Sequence, residues 1–325
     1  MIDLLVAVRA IEFAAAILIA GAVVFSVLVA APVWHRSDAL WTPWLAPSRK
    51  QASRIVWVSL ALVVVLGAAR LVLVAADIAG ESWIDVIVDG MAWSVLNETE
   101  FGIVSQLRLV LSAVLAGLLL LSRRSQGGTT DSCRILIALA GASLLGMLAW
   151  TGHASGASGA GANVHLVSDV LHILAAGTWI GGLVPLALFM RQVARTFESA
   201  RISACGQVLR RYSNLGVVSV ATLLASGFIN MWFLTDHLRG LIGTDYGRLL
   251  LTKIGLFLAM LCLAAINRLR LLRRIPHDDE PSSERGGKQT LRQLQRNIAL
   301  EIALGSAVIY IVGVLGVTPP AGHTH

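Results

Sequence analysis

The chain has 325 residues, of which 56% are hydrophobic and only 14% are charged. An average soluble domain carries about 25% charged residues, so this composition argues against a water-soluble fold and predicts that the surplus apolar residues face lipid. The net charge of +7 is compatible with nucleic-acid binding, but most basic residues lie in the loops of a membrane protein, and no nucleic-acid partner is expected. The three cysteines have no paired spacing, which argues against a disulfide framework and a zinc ribbon.

Eight apolar runs follow one another along the chain, and each is long enough to cross a bilayer as a helix of about 20 residues. They lie near residues 4–33, 54–76, 102–122, 134–152, 164–190, 211–235, 247–268 and 296–317. The sequence therefore predicts an all-α fold. Residues 1–325 are expected to form a single integral membrane domain, a polytopic bundle of about eight transmembrane helices.

The loops between these runs alternate in charge. Most of the 26 Lys and Arg residues lie in the first, third, fifth and seventh loops, whereas the second loop has several acidic residues and no basic one. Basic loops stay in the cytoplasm, so both termini are predicted to be periplasmic. Within the second loop, residues 83–93 fit either a short interfacial helix or a solvated loop. Residues 276–288 predict a flexible linker.

The densest group of polar residues lies at the start of the fifth run. His165, Asp169 and His172 share one helix face at 100° per residue, and Trp179 extends that face. The two histidines are about 10.5 Å apart along the axis, so one ion cannot bind both directly, while Asp169 reaches either neighbour. His153, at the end of the fourth run, can join the outer level. The spacing predicts a ladder of two metal-binding levels that suits Cu(II), Zn(II) or Fe(II).

A structural alternative applies to each of these residues, because a single polar residue in a span often only hydrogen-bonds a neighbouring helix. The other ionisable residues in the spans favour such roles. Arg9 and Glu12 are three residues apart and can neutralise each other. Arg70, Arg108 and Lys253 fall nearer the outer side and can extend to the interface.

Further candidates for an ion pathway are scattered through the spans. Thioether and thiolate ligands favour Cu(I), although a lone methionine in a helix usually serves packing. The candidate pathway residues are Glu12, Met147, Trp179, Met231, Lys253, Met260 and Glu301. His323 and His325, in the last three residues, are candidates for weak peripheral capture of a metal or for the remnant of a tag. Gly177 and Gly181 form a GxxxG pattern that predicts close helix packing away from the polar face.

At this point the sequence resembles the copper resistance protein D (CopD) family. The run HLVSDVLHILAAGTWIGG at 165–182 is similar to the His-rich helix of that family, and 243–268 to its signature of Tyr-Gly-Arg, Lys and Asn-Arg. Residues 294–320 resemble its closing helix with a glutamate and a Pro-Pro pair. The specific similarity covers about 153–320.

The resemblance implies a protein of the bacterial inner membrane that imports copper, with a separate periplasmic carrier of the CopC type as its partner. The oxidation state of the copper, Cu(I) or Cu(II), stays open. No nucleotide-binding motif is present, and the protein is not expected to be an enzyme. Two alternatives remain: a b-type haem cytochrome or quinone-linked reductase, and a copper receptor that does not transport the ion.

Overall fold

The computed structural model describes residues 2–34, 42–124, 131–151, 160–196, 199–234, 243–275 and 284–318. Within these residues the fold is entirely helical, and eight helices are long and apolar enough to cross a membrane. They are α1 (Asp3–Val33), α2 (Lys50–Ala79), α3 (Glu100–Arg123), α4 (Ser132–Trp150), α5 (Asn163–Ala194), α6 (Cys205–Trp232), α7 (Asp245–Arg274) and α8 (Gly286–Leu315). The prediction of a polytopic helical membrane protein is confirmed.

The start of α1 and the end of α8 lie together. Arg9 Nη1 donates a hydrogen bond to the carbonyl oxygen of Gly316 at 3.4 Å. We call this end of the bundle the terminus side. The opposite end carries the Lys and Arg residues of the odd-numbered loops and is the basic side. Which side faces the periplasm stays a prediction from the positive-inside rule.

Helix α1 forms the centre of the bundle, because it packs against α2, α4, α5 and α8. Its closest crossing is with α5, where a Cβ at Gly21 would overlap the backbone of Gly181. The GxxxG pattern therefore brings two backbones together, since neither position has room for a side chain. Helices α3, α6 and α7 are the most exposed spans, as expected for helices that border lipid.

Three of the spans contain a π-helical turn in the half nearer the basic side. These turns are Phe25–Ala30 in α1, Gly177–Gly181 in α5 and Asn267–Leu271 in α7. A π turn adds a residue to the helix and shifts the side chains that follow, and such turns are frequent at functional sites. Two of the three border the cavity described below.

The second loop folds into two short helices, Asp85–Val88 and Met91–Glu98, with Gly90 between them at a φ of 78°. Val86 and Val95 of these helices are buried in a cluster with Ala75 and Ala76 of α2. Of the two interpretations of 83–93, the short helix is therefore closer to the structure.

The predicted end of the flexible linker at 276–288 is wrong, because the last helix already begins at Glu284. Leu291 and Leu294 are almost completely buried in the core. Burial of this apolar stripe supports helical structure before the apolar run itself starts. Residues 276–283 lie outside the described part of the chain.

Candidate functional site

The polar face of α5 is turned towards α6. Asn230 Nδ2 donates to Asp169 Oδ1 at 3.3 Å, and His172 Nδ1 lies 3.0 Å from Ser226 Oγ. Ser168 Oγ donates to the carbonyl oxygen of Ser226 at 3.1 Å. Asp169 and His172 lie about one helical turn apart on α5. They face Asn230 and Ser226, which are also about one turn apart on α6.

Asn230 has an unsatisfied acceptor at this position. Its Oδ1 atom is buried and has no hydrogen-bond partner among the described residues, while its Nδ2 atom binds Asp169. A buried polar atom without a partner is rare and calls for an ion or a water as the missing partner. The amide oxygen is thus available to a cation that binds Asp169.

Sequence reasoning did not identify Ser226 and Asn230. The signal was present, because both are polar, they are four residues apart, and they lie in an otherwise apolar run. What the sequence lacked was the pairing of α5 with α6.

Asp169 also interacts with charges from two other helices. Its carboxylate acts electrostatically on Arg9 of α1 and on Tyr246 and Lys253 of α7. Lys253 in turn acts on His172. Four helices therefore converge on one carboxylate, and a metal ion that enters here meets one negative and two positive side chains.

The remaining predicted ligands are only partly described. His165 is buried near the start of α5 on the terminus side, four residues before Asp169. His153, His323 and His325 lie outside the described residues. Over the described ranges, no group of three or more His, Cys, Asp and Glu side chains is close enough to hold a metal ion. A closed cage of these residue types is therefore absent from the described ranges.

Glu12 belongs to a separate buried cluster. Arg70 Nη1 lies 3.2 Å from Glu12 Oε2, and Arg108 Nη1 binds Glu12 Oε1. Glu12 has no exposed surface, and both arginines are buried. Glu12 also attracts the guanidinium group of Arg9 electrostatically, as the spacing predicted, but its direct partners are Arg70 of α2 and Arg108 of α3. The predicted extension of Arg70 and Arg108 to the interface is wrong, because a buried carboxylate attracts both guanidinium groups.

The candidate sulfur ligands are spread over α4, α6 and α7. Met260 is fully buried in the inner core near Gly305, whereas Cys262 of the same helix is exposed. Met147 and Met231 are half-buried, and Met231 follows Asn230 in α6.

On the basic side of the polar face, Trp179 of α5 packs against α6 and α7. It is buried, its ring meets Phe257 of α7 edge to face with centroids 6.0 Å apart, and its carbonyl oxygen accepts a hydrogen bond from Tyr212. Its position in the π turn of α5 leaves that carbonyl oxygen for Tyr212 to bind.

A second polar group lies on the basic side of Trp179. Glu301 is buried, and its Oε1 accepts from Asn267 Nδ2 at 2.7 Å. Asn267 Oδ1 accepts from Asn297 Nδ2, also at 2.7 Å. Both Glu301 and Trp179 border a cavity of about 380 Å³ between α5, α6, α7 and α8. The bundle therefore holds one polar group above Trp179 and another below it.

These features define a multi-pass membrane protein with one buried polar group on each side of Trp179. Comparison with known families identifies the family to which this protein belongs. The family model described as "Copper resistance protein D-like, N-terminal domain" matches residues 1–164, and the model described as "Copper resistance protein D" matches residues 206–315. The chain therefore belongs to the copper resistance protein D family. Both its first half and its second half match models of that family.

Three characterised sequences are similar to this chain. Copper resistance protein D of Pseudomonas syringae pv. tomato is 31% identical over 57% of this chain and 59% of its own length. Inner membrane protein YebZ of Escherichia coli (strain K12) is 28% identical over 87% of this chain and 92% of its own length. Copper transport protein CutJ of Bacillus subtilis (strain 168) is 31% identical over 53% of this chain and 28% of its own length. The chain thus matches less than two thirds of the Pseudomonas protein.

Proposed function

We propose that this protein transports copper across the bacterial inner membrane, and that Asp169 and His172 receive the ion inside the bilayer. The family and the names of two relatives, a copper resistance protein and a copper transport protein, support copper as the substrate. The name of a third relative supports the inner membrane. No catalytic role is proposed.

The observation that carries the proposal is the contact between α5 and α6. A carboxylate and an imidazole stand one helical turn apart, and the unpaired Oδ1 of Asn230 lies beside the carboxylate. Ionisable residues within a span are costly and mark ion pathways by default. Imidazole and carboxylate together are ligands that copper accepts.

The neighbouring positive charges suit a site that must release its ion. Conduction requires binding that is strong enough for entry and weak enough for exit. Arg9 and Lys253 lower the affinity of this site for a cation, because both interact with Asp169. In a protein that only stores copper, these positive charges would lower the affinity for the ion without any benefit.

The proposed route runs from the terminus side to the basic side. The ion enters at His153 and His165, binds at Asp169 and His172, and passes Trp179. The other candidate pathway residues lie on the basic side of Trp179 or beside the proposed route. They are Met147, Met231, Met260 and Glu301. By the positive-inside rule the direction is from periplasm to cytoplasm. A separate periplasmic carrier of the CopC type is the proposed donor.

One observation favours the alternative of a receptor without transport. Trp179, about two turns beyond His172 on α5, is buried against Phe257, and Tyr212 binds its carbonyl oxygen, so an ion on the proposed route meets a packed aromatic side chain there. Transport requires this barrier to open, whereas reception does not. The haem alternative has less support, because His165 and His172 of the described residues lie on one helix and cannot face each other across a haem.

The first test measures copper bound to the purified protein after loading and desalting. We expect Asp169→Asn and His172→Ala each to lower the copper affinity at least about tenfold. The variant His323→Ala/His325→Ala is the matched control, since it removes two histidines that follow the last predicted span. Loss of copper in this control alone would assign binding to the tail and contradict the proposed site.

Two further readouts separate the alternatives. An absorption spectrum of the same sample tests for haem, because a Soret band in the protein as purified would replace copper by haem as the bound group. Copper uptake into proteoliposomes then separates transport from reception. Binding at Asp169 and His172 without uptake would leave the receptor as the function.

A further inference from the structure

The cavity between α5, α6, α7 and α8 opens towards the lipid. Within their described lengths, α6 and α7 contact each other at the basic side, where Arg268 of α7 binds Ser213 and Asn214 of α6, and their backbones have few close contacts elsewhere. Val217 and Leu224 of α6 and Leu269 of α7 line the cavity and are about half exposed. The cavity of about 380 Å³ is therefore a lateral cleft between two lipid-facing helices.

The cleft is polar at one end and apolar at the other. Ser213, Asn267 and Arg268 line it at the basic side, whereas Leu224 and Leu261 line it near the middle of the bundle. From Ser213 to Leu224 the axis of α6 rises by about 16 Å. The cleft thus runs from the interface on the basic side to the centre of the membrane.

The position of the polar end of the cleft indicates which ligand fits it. A phospholipid of the leaflet on the basic side has its head group at that interface and its acyl chains pointing to the membrane centre. A ligand with a polar ring deep in the membrane would need polar residues at the inner end, where the cleft has Leu224, Leu261 and the ring of Trp179. The gradient therefore fits an acyl chain.

The charges at the polar end favour an anionic head group. Arg268 Nη1 donates to Ser213 Oγ at 2.7 Å and to Asn214 Oδ1 at 3.0 Å. Among the described residues both bonds use Nη1, which leaves Nε and Nη2 for phosphate oxygens. Arg273 and Arg274 follow within two helical turns and are exposed. Basic residues between spans on the basic side are typical of sites for anionic lipids.

Glu301 also lines the cleft, but its carboxylate is engaged by Asn267. The π turn Asn267–Leu271 turns Asn267, Arg268 and Leu269 towards the cleft together. Asn267 thus satisfies the carboxylate, and Arg268 faces the head group.

We propose that an anionic phospholipid of the leaflet on the basic side inserts an acyl chain between α6 and α7, with its phosphate held by Arg268. The proposal does not depend on copper transport, because it rests on the cleft and its charges alone. The bound chain would cover the lipid-facing side of Glu301.

The test uses the full-length protein in detergent with added dioleoyl phosphatidylglycerol or dioleoyl phosphatidylcholine, and native mass spectrometry counts the lipids retained. We expect retention of one phosphatidylglycerol in preference to phosphatidylcholine. Arg268→Ala should lower that preference about fivefold, whereas Arg54→Ala, which removes an exposed arginine at the same side of α2, should not change it.

Ala265→Phe tests the cleft without touching the charge. Ala265 lines the cavity, so a phenyl ring there occupies the space of the chain. We expect this variant to lose the bound phosphatidylglycerol while its thermal unfolding in phosphatidylcholine stays that of the wild type. Equal retention of the two lipids by the wild type, or unchanged retention by Ala265→Phe, would overturn the proposal.

Discussion

The substitution Glu12→Gln tests whether the buried ion cluster stabilises the bundle. Glu12 is the shared partner of Arg70 and Arg108, and none of its surface is exposed. Removing one partner of a buried ion pair costs about 3–5 kcal/mol, because the remaining charge is left uncompensated. Glu12→Gln leaves two such charges, so we expect the free energy of unfolding to fall by at least about 4 kcal/mol.

The cost is expected at the upper end because the arginines are already short of acceptors. Arg108 Nε and Nη2 are buried without a hydrogen-bond partner among the described residues. A glutamine offers one neutral acceptor oxygen where the carboxylate offers two charged ones. The second arginine must then stay unpaired or move towards lipid.

The assay is reversible unfolding in mixed micelles, followed by circular dichroism, with Glu98→Gln as the control because Glu98 is exposed on the second loop. The double variant Glu12→Gln/Arg108→Met should recover part of the loss, since it removes one of the unpaired charges. A loss below about 1 kcal/mol for Glu12→Gln, the size typical of exposed pairs, would refute the interpretation that the cluster is structural. Glu12 would then return as a candidate for the ion pathway.

Three further predictions follow from the packing and the charges. Gly21→Ala should lower the free energy of unfolding by about 3 kcal/mol, because its Cβ would overlap the backbone of α5; Gly117→Ala, whose Cβ meets no atom within 4 Å, should not lower it, and equal effects would contradict the close crossing. Tyr212→Phe should cost about 1 kcal/mol by removing the hydrogen bond to the π turn of α5, whereas the exposed Tyr310→Phe should cost nothing measurable in the same unfolding assay. Lys253→Met should strengthen copper binding about tenfold in a competition titration with a chelator, because it removes a positive charge that acts on Asp169; an unchanged affinity would remove Lys253 from the site.

The polar face of α5 shows which part of the candidate site helical periodicity can predict and where it stops. Helical periodicity put Asp169 and His172 on one face, and the structure turns that face towards α6. Periodicity within α5 cannot reveal which helix stands opposite. Asn230 therefore entered only with the tertiary structure, together with its unpaired oxygen.

The buried charges show the same limit from the other direction. Arg9 and Glu12 are neighbours in sequence, so local spacing favoured a pair between them. In the structure Glu12 binds Arg70 and Arg108 of α2 and α3. A buried carboxylate binds the donors that tertiary packing brings to it, and the sequence separation of those donors carries no information about distance.

The sequence by itself determined the eight spans and the helical class, because the length of an apolar run and the period of a helix are local properties, and its motifs indicated the family. Tertiary structure decided the close crossing of α1 with α5, the convergence of α1, α5, α6 and α7 on Asp169, and the lateral cleft between α6 and α7. These features depend on which helices become neighbours. In a membrane that choice is set by small residues, buried hydrogen bonds and packing between helices, since every span has the same apolar surface to offer the lipid.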